Sequence, residues 1–232
     1  MKNKTLVFTA TYNEAENIEK YLNAILAIKD IDILIIDDNS PDETFRIVEN
    51  YQKKYENLFF IKRQGKLGLD TAHKEGFNYA KDKGYQNLIT MDADLSHNPD
   101  EINSFIKELK INSFVIGSRY VANGKNEMKF SRYLLSFLGN KLIKLVFNIN
   151  CSEYTTSFRG FNFNLLKNFD INNVKSKGYS FFMETVYQIN KSGNNITEIP
   201  IIFKDRKKGI SKIPKIETLR TLKNLFLLKI NG

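Results

Sequence analysis

The chain has 232 residues, 42% of them apolar, with a formal net charge of +9, one cysteine and two histidines. That suits a single α/β domain with at most a short appendage. No apolar run reaches the length of about 18 residues that marks a membrane span, and the apolar stretch near the start is too short for a signal peptide and runs straight into Tyr12-Asn13-Glu14. The lone Cys151 excludes an intramolecular disulfide and fits a reducing cytosol. With only His73 and His97 beside it, a Cys/His zinc site is excluded too.

Residues 6–9 read as a short strand ending at Ala10-Thr11-Tyr12-Asn13-Glu14, with Thr11 and Asn13 as candidate caps of the next helix. That helix carries Ile18, Tyr21, Leu22, Ile25 and Leu26 at helical spacing. Residues 31–36 form a strand buried on both faces by its later residues, followed by Asp37-Asp38-Asn39-Ser40-Pro41-Asp42. Pro41 suits the first turn of a helix that continues through Phe45, Ile47, Val48 and Tyr51. A third strand covers 58–61, a loop with Gly65 and Gly68 covers 62–69, and a helix covers 70–83. The apolar run 88–91 is a fourth strand, ending in Asp92-Ala93-Asp94-Leu95-Ser96-His97. A helix over 99–110 leads to a strand over 114–117.

Strand–helix alternation at this spacing predicts an α/β fold, a mainly parallel, Rossmann-like sheet flanked by helices. Polar clusters recur at its strand ends: Tyr12 and Glu14, Asp37 and Asp38, Asp92 and Asp94. In such a sheet these ends line the ligand crevice. Residues two apart on a strand point the same way, so Asp92 and Asp94 converge, and two converging carboxylates call for a cation between them. A hard divalent ion bridging to substrate phosphates meets that need. No G-x-G-x-x-G follows the first strand and no G-x-x-x-x-G-K-[ST] occurs, which disfavours a dinucleotide oxidoreductase or a P-loop NTPase.

Two later segments are both greasy and basic. Residues 131–149 set Leu134, Leu135, Phe137, Leu138, Leu142, Ile143 and Leu145 among Arg132, Lys141 and Lys144; residues 216–230 repeat the theme with Leu219, Leu222, Leu225, Phe226, Leu227 and Leu228 among Arg220, Lys223 and Lys229. Such helices pack on the sheet, on a partner or on a membrane interface. From Pro200 to Gly232 nine Lys and Arg stand against two acids, a basic end suited to nucleic acid, anionic lipid or a phosphorylated substrate.

Seven ordered blocks make the chain resemble family 2 glycosyltransferases of the GT-A fold, and more narrowly the dolichyl-phosphate (polyprenyl-phosphate) mannosyltransferases. The blocks are Ala10-Thr11-Tyr12-Asn13-Glu14; Ile36-Asp37-Asp38-Asn39-Ser40-Pro41-Asp42; Gly65-Lys66-Leu67-Gly68-Leu69; Met91-Asp92-Ala93-Asp94-Leu95-Ser96-His97; Gly117-Ser118-Arg119-Tyr120; Lys177-Gly178-Tyr179-Ser180-Phe181-Phe182-Met183-Glu184; and Phe203-Lys204-Asp205-Arg206 followed by Gly209-Ile210-Ser211-Lys212. A lone D-x-D is weak evidence; seven blocks in order are strong.

The resemblance implies a catalytic domain over 1–212, including an interface helix at about 131–149, and a C-terminal amphipathic basic helix over 213–232. It implies that Ala10, Tyr12, Glu14, Ile36 and Asp38 surround the nucleotide, and that Asp92, Ala93 and Asp94 hold the diphosphate with a divalent cation (Mg2+ or Mn2+), Ser96 being a further candidate ligand. Arg119, Arg206 and Lys212 match basic residues near the phosphates, and Phe158 and Arg159 belong to an acceptor-side block. The implied reaction is inverting transfer of mannose from GDP-mannose to a polyprenyl or dolichyl phosphate, by a peripheral enzyme on the cytosolic face of a membrane. A membrane-anchoring protein partner is compatible with it and nucleic acid is not required. His73 and His97 need not be catalytic. Three departures stand out: Ala10 replaces a proline, Asp70 replaces the last glycine of a G-L-G run, and Glu153 replaces an aspartate in the block that ends at Phe158-Arg159.

Alternatives use the same residues. One is a UDP-glucose or other UDP-sugar donor with a similar lipid; another is a soluble saccharide acceptor. From a different class comes a basic membrane-binding module on an inactive transferase fold, which the intact Asp92 and Asp94 argue against.

Overall fold

A computed structural model describes residues 4–204 and 216–231. Its layering follows from side-chain alternation along the strands. In β1 (Thr5–Thr11) Leu6 and Phe8 face one core and Val7 the other; in β2 (Ile31–Asp37) Leu34 and Ile36 oppose Ile33 and Ile35 in the same way. Both faces of β2 are buried along its whole length, as the apolar run over 33–36 requires. The remaining strands are β3 (Leu58–Lys62), β4 (Asn87–Thr90), β5 (Phe114–Ser118), β6 (Lys125–Asn126), β7 (Arg159–Asn162), β8 (Ile196–Pro200) and β9 (Ile202–Phe203). They form a seven-stranded sheet in the order β3-β2-β1-β4-β7-β5-β8 and a small parallel pair of β6 with β9.

Helices α1 (Ala15–Leu26), α2 (Thr44–Gln52) and α4 (Ile102–Glu108) cover one face, supplying Ile18, Leu22, Val48 and Phe105 to its core. Helices α3 (Leu69–Asp82), α5 (Phe130–Phe147), α6 (Ser180–Lys191) and α7 (Ile216–Asn231) cover the other, supplying Phe77, Ile143, Phe182 and Leu225. Leu225 is fully buried in that core, so α7 is packed into the body of the protein. The boundary expected at 212 lies outside the described residues, as do Arg206 and Lys212. Among the described residues no helix is long and apolar enough to cross a membrane.

The structure departs from the expected elements in three places. The sheet is parallel except for β7, which lies antiparallel between β4 and β5. Gly160 on that strand lets α4 sit close, since a Cβ there would meet Leu109 Cδ1 at 2.9 Å. Neither Thr11 nor Asn13 caps α1: Thr11 bonds Asp37, and Asn13 adopts a left-handed φ of 57° with its amide donating to Ser40 Oγ. Asp42 caps instead, its Oδ2 accepting the amide of Ala15 and its Oδ1 that of Thr44. Pro41 therefore precedes α2, which starts at Thr44.

Candidate active site

The C-terminal ends of β2, β1 and β4 are neighbours, and they bring the predicted clusters to one edge. The two aspartates after β2 have different work. Asp37 is buried and consumed locally, accepting from Thr11 Oγ1 at 2.7 Å and from the Ser40 amide and hydroxyl at 2.8 and 2.6 Å. Asp38 turns to the other side, where Arg63 Nη1 donates to its Oδ1 at 2.8 Å and the Gly68 amide to its Oδ2 at 2.9 Å. Arg63 also reaches Glu75 at 2.9 Å and Thr71 at 2.8 Å, which fixes its guanidinium although it is nearly buried. Lys66, on the glycine loop, places its Nζ 4.1 Å from the Tyr12 ring centroid. Glu14 accepts from Asn17 Nδ2 at 2.8 Å. Ala10 and Ile36 are register partners, and the Ile36 side chain points into the core, leaving backbone as what it offers a ligand.

Beyond β4 the chain makes a tight, strained turn. Leu95 has a φ of 59°, a left-handed conformation costing a side-chain-bearing residue about 1 kcal/mol or more. The turn is closed by Asp94 Oδ1 accepting the Ser96 amide at 3.0 Å. His97 supports it from behind: its Nδ1 accepts the Asp92 amide at 3.2 Å, and its Nε2 lies 3.3 Å from Thr156 Oγ1. Burial holds His97 below its ordinary pKa despite Asp92 and Asp94 nearby, and an accepting Nδ1 needs the neutral ring. Ser157 Oγ donates to Asp92 Oδ1 at 2.6 Å.

Arg119, on the far side, is engaged by a carboxylate. Its Nε and Nη2 donate to Glu153 Oε2 and Oε1 at 2.7 and 2.8 Å, a bidentate pair, and Nη2 also reaches Thr155 Oγ1 at 3.2 Å. Burial pushes the Glu153 carboxyl up, but Arg119 and the Thr155 bonds outweigh it and hold the group below the usual carboxylate range. Phe158 and Arg159, expected on the acceptor side, are both inside the protein. Phe158 stacks on Phe105 with centroids 4.3 Å apart, and Arg159 donates to the carbonyls of Thr156 and Tyr154 at 2.8 Å. Burial pulls the Arg159 pKa down to about 9. These two residues brace the 153–157 segment from within. An open depression of about 320 Å³ lined by Asn168, Asp170, Gln188 and Lys191 follows β7 and precedes β8, at the sheet edge opposite the paired aspartates.

Comparison with known proteins agrees with this geometry. The glycosyl transferase family 2 model matches residues 6–169. An undecaprenyl-phosphate mannosyltransferase of Micrococcus luteus is 31% identical over 212 residues, covering 90% of this chain and 87% of its own. A polyprenol monophosphomannose synthase of Mycolicibacterium smegmatis is 31% identical over 214 residues, covering 90% of this chain and 81% of its own. The chain belongs to glycosyl transferase family 2. Solved structures give the same fold: a Pyrobaculum calidifontis mannosyltransferase in complex with GDP-Man and Mn2+ superposes with a TM-score of 0.63 at 17% identity, over 100% of this chain and 65% of its own. A Mycobacterium tuberculosis glucosyl-3-phosphoglycerate synthase in complex with Mn2+ and UDP-glucose gives 0.69 at 14% identity, over 98% and 79%.

In this glycosyltransferase the departures from the family pattern acquire partners. Asp70 accepts the Gly178 amide at 2.9 Å and so ties the start of α3 to the loop before α6. Glu153 is the ion-pair partner of Arg119. The sequence reading passed over Arg63, although a basic residue just before the glycine loop is a signal that Asp38 will have a counter-charge. Only the fold carries Ser157 to Asp92 and Thr156 to His97.

The residues at β4 fit a shared cation. Ser96 Oγ is buried without a protein partner, on the residue whose amide donates to Asp94 Oδ1. Among the described residues no group of three or more His, Cys, Asp or Glu is placed to hold a metal. A hard ion completed by phosphate oxygens and water needs only one or two carboxylates, whereas a closed protein cage would need more.

Proposed function

We propose that the chain transfers mannose from GDP-mannose to a polyprenyl phosphate at the cytosolic face of a membrane, with inversion at the sugar C1. The observation that carries the reading is the Asp92–Asp94 turn with its unpartnered buried Ser96 hydroxyl, at the edge that also holds Asp38 and Arg63. The two relatives named for mannosyl transfer to lipid phosphates support the choice of donor and acceptor.

In this reading Tyr12, Glu14 and Asp38, with the backbone at Ala10 and Ile36, hold the nucleoside, and Arg63 keeps the Asp38 carboxylate aimed. Asp92 and Asp94, with Ser96, would hold Mg2+ or Mn2+, and the backbone of Ala93 would lie against the diphosphate. Such an ion would supply positive charge to the diphosphate leaving group. Arg119 adds a guanidinium on the phosphate side, and Arg206 and Lys212, outside the described residues, are assigned there from sequence. A phosphate monoester is already anionic at neutral pH, so the reaction needs no general base, and both histidines are free for structural work. What the side chains supply is placement of two anions and electrostatic relief of the leaving group. The face carrying Phe130, Leu134, Leu135 and Leu138 of α5 would rest on the membrane that presents the acceptor.

The test is transfer from a panel of radiolabelled GDP- and UDP-sugars to polyprenyl phosphate or soluble saccharides, with Mn2+, Mg2+ or chelator. The expected result is labelled lipid from GDP-mannose, lost on chelation and lost in Asp94→Ala while the thermal midpoint changes little. Label arriving from UDP-glucose or in a saccharide would replace the donor or the acceptor. Undiminished turnover of Asp94→Ala would remove the metal assignment.

A further inference from the structure

Helix α5 reverses the usual pattern of a surface helix. Its large apolar side chains Phe130, Leu135, Leu138 and Leu145 are exposed, while Asn140 near its middle is only 2% exposed. Burying an amide is costly unless its polar atoms are bonded. Here Oδ1 accepts the Tyr154 amide at 2.7 Å and Nδ2 donates to the Ser136 carbonyl at 2.9 Å. One turn earlier Ser136 Oγ accepts from the Tyr120 hydroxyl at 2.7 Å.

These bonds end next to the two halves of one ion pair. Tyr120 follows Arg119 and Tyr154 follows Glu153, and Arg119 and Glu153 are joined at 2.7 Å with side chains 7% and 0% exposed. The Arg119 guanidinium also lies 5.2 Å from the Tyr120 ring centroid. One face of α5 is thus tied to the Tyr154 backbone on one side of the pair and to the Tyr120 hydroxyl on the other. A leucine at 140 would fill the space without directional bonds, so the amide specifies where the helix sits rather than how tightly it packs.

We propose that Asn140 is a positioning residue for transfer: together with the Ser136–Tyr120 bond it couples the placement of α5, which carries the exposed apolar face, to the Arg119–Glu153 pair on the phosphate side. The inference rests on the functional reading above. A helix that shifts when a lipid acceptor arrives moves the Tyr154 amide and the Tyr120 ring, and with them the carboxylate and the ring that hold the guanidinium in place.

The experiment is steady-state kinetics of the full chain with Mn2+, its sugar nucleotide and a short-chain polyprenyl phosphate in detergent. Asn140→Leu is expected to lower kcat about tenfold while the KM for the sugar nucleotide stays within about twofold. Tyr120→Phe, which keeps the ring and loses the hydroxyl, is expected to lower kcat about threefold. Added to Glu153→Gln, Asn140→Leu is expected to cause no further loss, because both act through one guanidinium. An unchanged kcat in Asn140→Leu, or losses that multiply in the double variant, would overturn the coupling. Should Asn140→Leu fail to fold, Tyr120→Phe decides alone, and an unchanged kcat there overturns it. Wild-type protein inactive on every lipid phosphate overturns the functional reading and this inference with it; active wild type with indifferent variants overturns only the inference.

Discussion

His73 and Arg159 show how far burial, rather than chemistry at the site, sets the charge of individual residues. His73 packs edge-on against Phe8 and Phe182 at 5.1 and 4.9 Å, and burial, with Arg159 adding repulsion, holds its pKa down to about 3. The unfolded chain therefore takes up a proton near pH 6.5 that the folded chain refuses, so stability falls as pH drops below that value. Between about pH 7 and pH 5.5 this one ring should cost about 1 kcal/mol. Urea unfolding at the two pH values measures it, and His73→Phe, which suits the aromatic surroundings, should lose that part of the slope. An equal slope in the variant would place the pH dependence elsewhere. His97 was equally visible in the sequence, yet neither its neutral state nor its hold on the Asp92 amide was, because both come from its burial in the folded chain.

Among the elements, α3 and β1 make the tightest contact that a single residue controls. A Cβ on Gly76 would stand 2.7 Å from Phe8 Cδ2 and within 2.9 Å of two further ring atoms. Alanine gains about 1 kcal/mol over glycine in a helix interior, whereas overpacking a fixed core costs about 1–3 kcal/mol. Phe8 is fully buried under His73, so the ring cannot swing clear and the second effect should win. Gly76→Ala should therefore lower the unfolding free energy by about 1 kcal/mol or more, read from the urea midpoint; a stabilised variant would show that the ring yields. The helical period of α3 was legible to within one residue. Strand β7 was not: its four residues Arg159–Asn162 carry no alternating pattern, and its place is granted by β4 and β5 on either side.

At the scale of the molecule, exposed apolar side chains gather on two helices that pack together. Phe130, Leu134, Leu135, Leu138 and Leu145 of α5 and Phe226, Leu227 and Ile230 of α7 are exposed. Lys141, Lys144, Lys223 and Lys229 share these helices. Greasy and cationic surface together favour an anionic bilayer over either property alone. Flotation with anionic vesicles should carry the protein up the gradient, less so as salt rises from about 0.05 to 0.5 M. Leu135→Glu with Leu138→Glu should cut the floated fraction severely without changing the thermal midpoint. No flotation of the wild type would favour attachment through a membrane-anchored partner.

Strand–helix alternation, the buried run of β2 and the polar clusters after β1, β2 and β4 are written in short stretches of sequence, since periodicity and side-chain type are local properties. They determined the α/β sheet, the edge where the polar clusters meet and the Asp92–Asp94 pair. Tertiary structure decided which groups meet there. It set Asp37 to hold the loop and Asp38 to face Arg63, brought Ser157 across 65 residues to Asp92, gave Arg119 a carboxylate partner 34 residues on, and sank Phe158 and Arg159 into the core. The physical reason is that hydrogen bonds and ion pairs act over a few ångströms, and only the folded sheet brings such distant residues within that range.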